Sequence, residues 1–112
     1  MLPRIPSALA LCAALAALAP VAAAQNIVGD AAAGKAKSSM CVGCHAIPGY
    51  RTAYPKVYHV PMIGGQQPEY IIAALKEYKA GERWHPSMRA VAGSLSDQDM
   101  ADLAAYFGEH KK

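Results

Sequence analysis

Cys41, Cys44 and His45 stand together in the stretch SSMCVGCHAIPG, residues 38–49. Two cysteines separated by two residues serve three chemistries: a thiol–disulfide couple, a zinc site, or covalent attachment of haem. A zinc tetrahedron needs four donors, or three and a water. His45 follows Cys44 directly, a poor spacing for another corner of the same tetrahedron, and there is no second cysteine pair. A thioredoxin-type couple sits at a helix N-terminus beside a sheet. Here the pair follows a predicted helix, and no alternating strand pattern is evident. A disulfide across so short a gap would also add little stability. Haem attachment uses every residue of the pentad. The two thiols add to the porphyrin vinyl groups, and the adjacent imidazole binds iron through Nε2.

An iron held by His45 has a second face. A low-spin electron carrier needs a further ligand there, and a thioether raises the reduction potential. Of the five methionines, Met1 goes with the N-terminal leader expected below, Met40 adjoins Cys41, and Met100 belongs to a helical apolar stripe. Met62 and Met88 remain, with His59 and His85 as rival imidazoles. Met88 lies in WHPSMRAVAG, a proline-containing connection where no stripe calls for it, and is the preferred axial ligand. His85 stands close enough in sequence to exchange with it at acid or alkaline pH. Arg89 and Trp84 are further candidate haem contacts, to a propionate and to the lower ring edge. Core packing is the competing role for Trp84.

The elements that must position these residues are helical. Asp30 is an N-cap for a first helix over about 31–40, in which Gly34 would permit close approach of another helix. PEYIIAALKEYKAG places Pro68 at a first helical position and Gly81 at the exit. Ile71, Ala74, Leu75 and Tyr78 form its apolar face. In the last helix Ser96 and Asp99 are placed for a capping box, and Leu95 and Met100 for a hydrophobic staple. Met100, Leu103, Ala104 and Phe107 form the stripe, and Gly108 is the expected end. Residues 46–67 hold three prolines and three glycines and read as irregular chain. So long a loop in so small a domain needs something bulky to wrap around.

The first stretch is not fold material. Arg4 precedes an apolar run containing Cys12, and Ala22 and Ala24 give the small-x-small pattern of a cleavage site. We therefore expect a signal peptide over 1–24, a domain over 25–112, and a periplasmic location with no stable membrane insertion after cleavage. Without Arg4, ten Lys and Arg face eight Asp and Glu, scattered along the chain, which argues against a nucleic-acid partner. Of the three cysteines, only Cys41 and Cys44 lie beyond the leader.

These residues, in this order, resemble a class I cytochrome c of the small bacterial c4, c5 and c553 group. CVGCH matches the attachment motif, with Cys41 and Cys44 as thioether cysteines and His45 as proximal ligand. PMIGGQQPEYIIAALKEYKAGER is similar to the family's entry into its third helix. HPSMRAVAGSLSDQDMADLAAYF is similar to its distal loop and closing helix, with the sixth ligand on Met88. The likeness covers about residues 30–108. It implies an all-α monohaem fold of three main helices with long haem-wrapping loops, and one covalent haem c per chain. It also implies that the first and last helices cross, with Gly34 against Tyr106 or Phe107. A proline carbonyl would receive the proximal N–H, from Pro48, Pro55 or Pro61.

The expected function is single-electron transfer between a redox donor and acceptor protein, not catalysis. Lys56, Lys76, Lys79, Arg83 and Arg89 are available to steer an acidic partner. The alternatives are a dedicated haem c subunit associated with a larger dehydrogenase or oxidase, and a haem-based ligand sensor with an exchangeable sixth ligand.

Overall fold

The computed structural model describes residues 26–54 and 56–110. The expected leader over 1–24, its expected cleavage point and Pro55 lie outside the described residues. Among the described residues the chain forms five α-helices and one two-stranded antiparallel pair. The helices are α1 (Ala31–Lys37), α2 (Ser39–His45), α3 (Pro68–Ala80), α4 (Pro86–Gly93) and α5 (Asp97–Glu109). The strands are β1 (Arg51–Thr52) and β2 (Tyr58–His59). The all-α class holds, but the expectation of three main helices gives way to five.

The extra helices have local causes. The expected first helix breaks at Ser38, whose hydroxyl donates to the Lys35 carbonyl at 2.8 Å. Its backbone N–H turns to the same carbonyl at 3.2 Å, which tightens the chain and ends α1. The Ser38 carbonyl then accepts from the Cys41 and Val42 N–H groups, opening α2. In α4, the proline that reads as a loop signal sits in the first turn, where its missing N–H costs nothing. The irregular segment closes on itself where Arg51 pairs with His59 and Thr52 with Tyr58.

The two long helices match their sequence signals. α3 starts at Pro68 and leaves through Gly81 at φ 80°, a left-handed conformation that favours glycine. In α5, Ser96 Oγ accepts from the Asp99 N–H at 3.1 Å, and Asp99 Oδ2 accepts from the Ser96 N–H at 2.9 Å. This is the expected capping box. The helix runs through Gly108 rather than stopping there. A Cβ at Gly108 would stand 2.7 Å from Pro68 Cγ, so that glycine serves a close contact with α3.

The core lies between α3, α4 and α5. Ile71, Leu75, Leu95, Met100, Leu103 and Phe107 are buried together. Met100 and Leu103 are the largest fully buried side chains. Each contributes about 1.5–3 kcal/mol by leaving water. Met100 is thus core, as its stripe position implied.

α1 packs across α5. Gly34 is buried at the crossing, where a Cβ would meet the Asp102 carbonyl oxygen at 2.0 Å and Tyr106 Cβ at 2.8 Å. An unforeseen polar clasp locks the same crossing. Asp102, 3% exposed, accepts from the Asp30 N–H at 2.9 Å, Gln98 Nε2 at 2.8 Å and Lys37 Nζ at 2.6 Å. Lys37 also reaches Asp99 Oδ1 at 2.7 Å. The Lys37 ammonium, with the Asp30 N–H, holds the Asp102 carboxyl below the usual carboxylate range. Lys37 is raised in turn, chiefly by its hydrogen bond to Asp102.

Candidate functional site: an apolar cleft between three helices

Cys41 and Cys44 are three positions apart on α2 and so share one face. Both are half-buried free thiols. Burial pushes the Cys41 thiol up. His45 occupies the last position of the same helix. The short α2, brought about by the Ser38 break, thus presents all three residues of the pentad that bear chemistry.

The His45 ring is oriented by the irregular loop. His45 Nδ1 lies 2.7 Å from the Pro61 carbonyl oxygen. A carbonyl only accepts, so Nδ1 carries the proton and donates. The lone pair is then left on Nε2, the tautomer suited to a metal ligand, and the carbonyl raises its basicity. Of the two candidate prolines among the described residues, Pro48 and Pro61, it is Pro61 that is bonded to this ring.

Cys41, Cys44, His45 and Met88 line one cleft. Its apolar walls come from Ile71 and Leu75 of α3, Val91 of α4, and Leu103 and Phe107 of α5. It encloses about 580 Å³ of atom-free space, part of it open to solvent. Met62 is not among the lining residues, although its neighbour Ile63 is. His59 is exposed on β2. Among the described residues, no group of three or more His, Cys, Asp or Glu side chains is placed to hold a metal ion.

Met88 reaches the cleft from a helix, not from the connection that the sequence suggested. Ser87, Met88 and Val91 line the cleft, whereas Pro86, Arg89, Ala90 and Gly93 line a separate outer groove. Helical periodicity divides α4 between the two. Trp84 and Arg89 both belong to the outer groove and are not among the cleft's lining residues. Trp84 is 65% exposed, with Lys56 Nζ 4.8 Å from its ring centroid, so it is not a core residue. The Arg89 guanidinium lies beside Gly81.

Two site features escaped the sequence reading. His85 caps α4, its Nδ1 accepting from the Met88 N–H at 3.3 Å. The only signal for this was a polar residue before a proline. Tyr58 packs on the His85 ring, and its hydroxyl is buried without a hydrogen-bond partner. A buried unpaired donor is costly and calls for an acceptor.

The two thiols, the imidazole and thioether beside them, and the apolar walls fit a haem better than they fit zinc. The cytochrome c family model matches residues 31–111. Cytochrome c4 of Pseudomonas aeruginosa is 38% identical over 86 residues, covering 77% of this chain and 41% of that protein. Cytochrome c-554(548) of Halomonas halodenitrificans is 38% identical over 86 residues, covering 74% of this chain and 99% of that protein. The cytochrome subunit of sulfide dehydrogenase from Chlorobaculum tepidum is 33% identical over 79 residues, covering 70% of this chain and 67% of that protein. The chain belongs to the cytochrome c family, in the class I bacterial group around cytochromes c4 and c-554. It spans less than half the length of the cytochrome c4 relatives.

Proposed function

We propose that the protein is a periplasmic single-electron carrier with one haem c, attached through Cys41 and Cys44 and ligated by His45 and Met88. The observation that carries this reading is the meeting of all four side chains in one apolar cleft, with the His45 proton held by Pro61. A haem c bound there supplies a one-electron iron couple. The chain's own residues do the rest. Cys41 and Cys44 anchor the group, and the Pro61 carbonyl keeps His45 Nε2 bare and basic. Met88 offers a thioether, which favours the reduced state. Ile71, Leu75, Leu103 and Phe107 exclude water and so tune the potential further.

Residues 1–24 serve in this reading as an export leader removed after Ala24. Among the described residues, no helix is long and apolar enough to cross a membrane. Lys56, Arg83 and Arg89 gather around the exposed Trp84, a cationic face with an aromatic anchor suited to an acidic redox partner.

The deciding experiment is the visible spectrum of the ferric protein, with a redox titration. Met88→Ala should abolish the methionine-to-iron charge-transfer band at the red end. A band that persists in that variant overturns Met88 as ligand.

A second reading, a dedicated haem subunit of a larger redox enzyme, is favoured by the likeness to the sulfide dehydrogenase cytochrome subunit. It predicts copurification with a larger enzyme, whose activity is lost when this chain is absent.

A further inference from the structure

His85 stands at the start of α4 in extended conformation, φ −166° and ψ 107°. Its side chain accepts from the Met88 N–H, and its backbone carbonyl accepts from the Arg89 N–H at 2.8 Å. The backbone around Met88 therefore hangs on one residue. Acceptance at Nδ1 requires that nitrogen to be bare, with the proton of the neutral ring on Nε2. This is the reverse of His45, whose Nδ1 donates.

Ser, Thr, Asp and Asn are the usual residues at such a cap. An imidazole caps no better, but it can be gripped. The Tyr58 ring lies 4.3 Å from the His85 ring, centroid to centroid, tilted by 38°. The Tyr78 ring meets it edge-on at 6.2 Å and 81°. Tyr58 comes from β2 and Tyr78 from α3, so two other elements fix the ring that holds Met88.

We infer that His85 is a positioning residue for Met88: packed against Tyr58 and Tyr78, its imidazole pins the Met88 backbone and fixes the thioether in the cleft. The inference rests on Met88 being the axial ligand. It also makes His85 a poor replacement ligand. Swinging the ring toward the cleft would uncap α4 and break its contacts with two tyrosines.

The test uses the holoprotein and carbon monoxide, which competes with the thioether for ferrous iron. Removing a side-chain cap typically weakens a helix start by about fivefold in equilibrium constant. His85→Ala should therefore raise carbon monoxide affinity by about fivefold and weaken the ferric charge-transfer band. His85→Asn, which restores a cap acceptor, should recover most of both. Ser96→Ala removes a cap from α5 instead and should leave carbon monoxide affinity unchanged.

An unchanged affinity in His85→Ala overturns the proposal. So does a His85→Asn protein as impaired as His85→Ala, or an equal rise in Ser96→Ala. If His85→Ala yields no holoprotein, Tyr58→Leu carries the test by stripping one wall from the ring, with a raised affinity expected and an unchanged one overturning. Failure of the ligand reading looks different: the band is missing from the unaltered protein or survives in Met88→Ala.

Discussion

Gly34 lies so close to Asp102 that a Cβ at position 34 would stand 2.0 Å from the Asp102 carbonyl oxygen. The neighbour is helix backbone and cannot rotate away. Gly34→Ala should therefore force α1 off α5 and destabilise the protein by about 3 kcal/mol or more, at the upper end of overpacking costs. For a domain of this size that lowers the midpoint of thermal unfolding by at least about 12 °C. Calorimetry of the holoprotein checks it, and a midpoint within a few degrees of the unaltered protein would refute the crossing.

The clasp beside that crossing should make stability depend on acid. Asp102 is held below its ordinary pKa by Lys37 and the Asp30 N–H. Asp99 is shifted in the same direction, first by Lys37 and then by Ser96. A depressed carboxyl contributes stability that is fully present above its unfolded value and lost as pH falls through its folded value. Stability should thus decline below the ordinary aspartate value of 3.8. Asp102→Asn should be less stable at neutral pH and show a shallower acid slope. Unfolding midpoints measured from neutral pH down to acid test both; parallel curves for the two proteins would contradict the clasp.

Covalent attachment makes a separate prediction. The chain should keep its haem after denaturation and acid extraction, seen as an added haem mass. Cys41→Ser combined with Cys44→Ser should lose all of it, while either change alone leaves one thioether in reach. Extractable haem in the unaltered protein would exclude attachment.

The cationic face around Trp84 should be visible in kinetics. Hexacyanoferrate(III), a small anionic oxidant, should oxidise the ferrous protein faster at low ionic strength than at high. Replacing both Arg83 and Arg89 with Gln should slow it by about tenfold or less at low salt and hardly at all at high salt. A salt profile identical in the two proteins would remove these residues from the approach path.

The pentad at Cys41, Cys44 and His45, the caps of α3 and α5, and the buried stripe from Met100 to Phe107 were legible in the sequence. Each rests on residues a few positions apart, where bond geometry and helical period fix the outcome. The break at Ser38 was not legible. It turns on a serine hydroxyl choosing the Lys35 carbonyl over solvent. Nor was α4, because a proline reads equally well as a helix start and as a loop. Trp84 and Arg89 look like neighbours of Met88 in sequence, yet the turn of α4 places Arg89 on the other face, and both line the outer groove.

The sequence by itself determined the helical class and singled out the pentad and Met88 as candidate site residues, since these depend on residue type and short spacing. Only the tertiary structure decided that Pro61, and not Pro48, receives the His45 proton. The same holds for the burial of Asp102 under Lys37, and for His85 between two tyrosines as the cap over Met88. The Pro61, Lys37 and Tyr58 contacts join residues far apart in the chain. Packing decides which groups come within reach of each polar atom, and no local pattern encodes which partners those are.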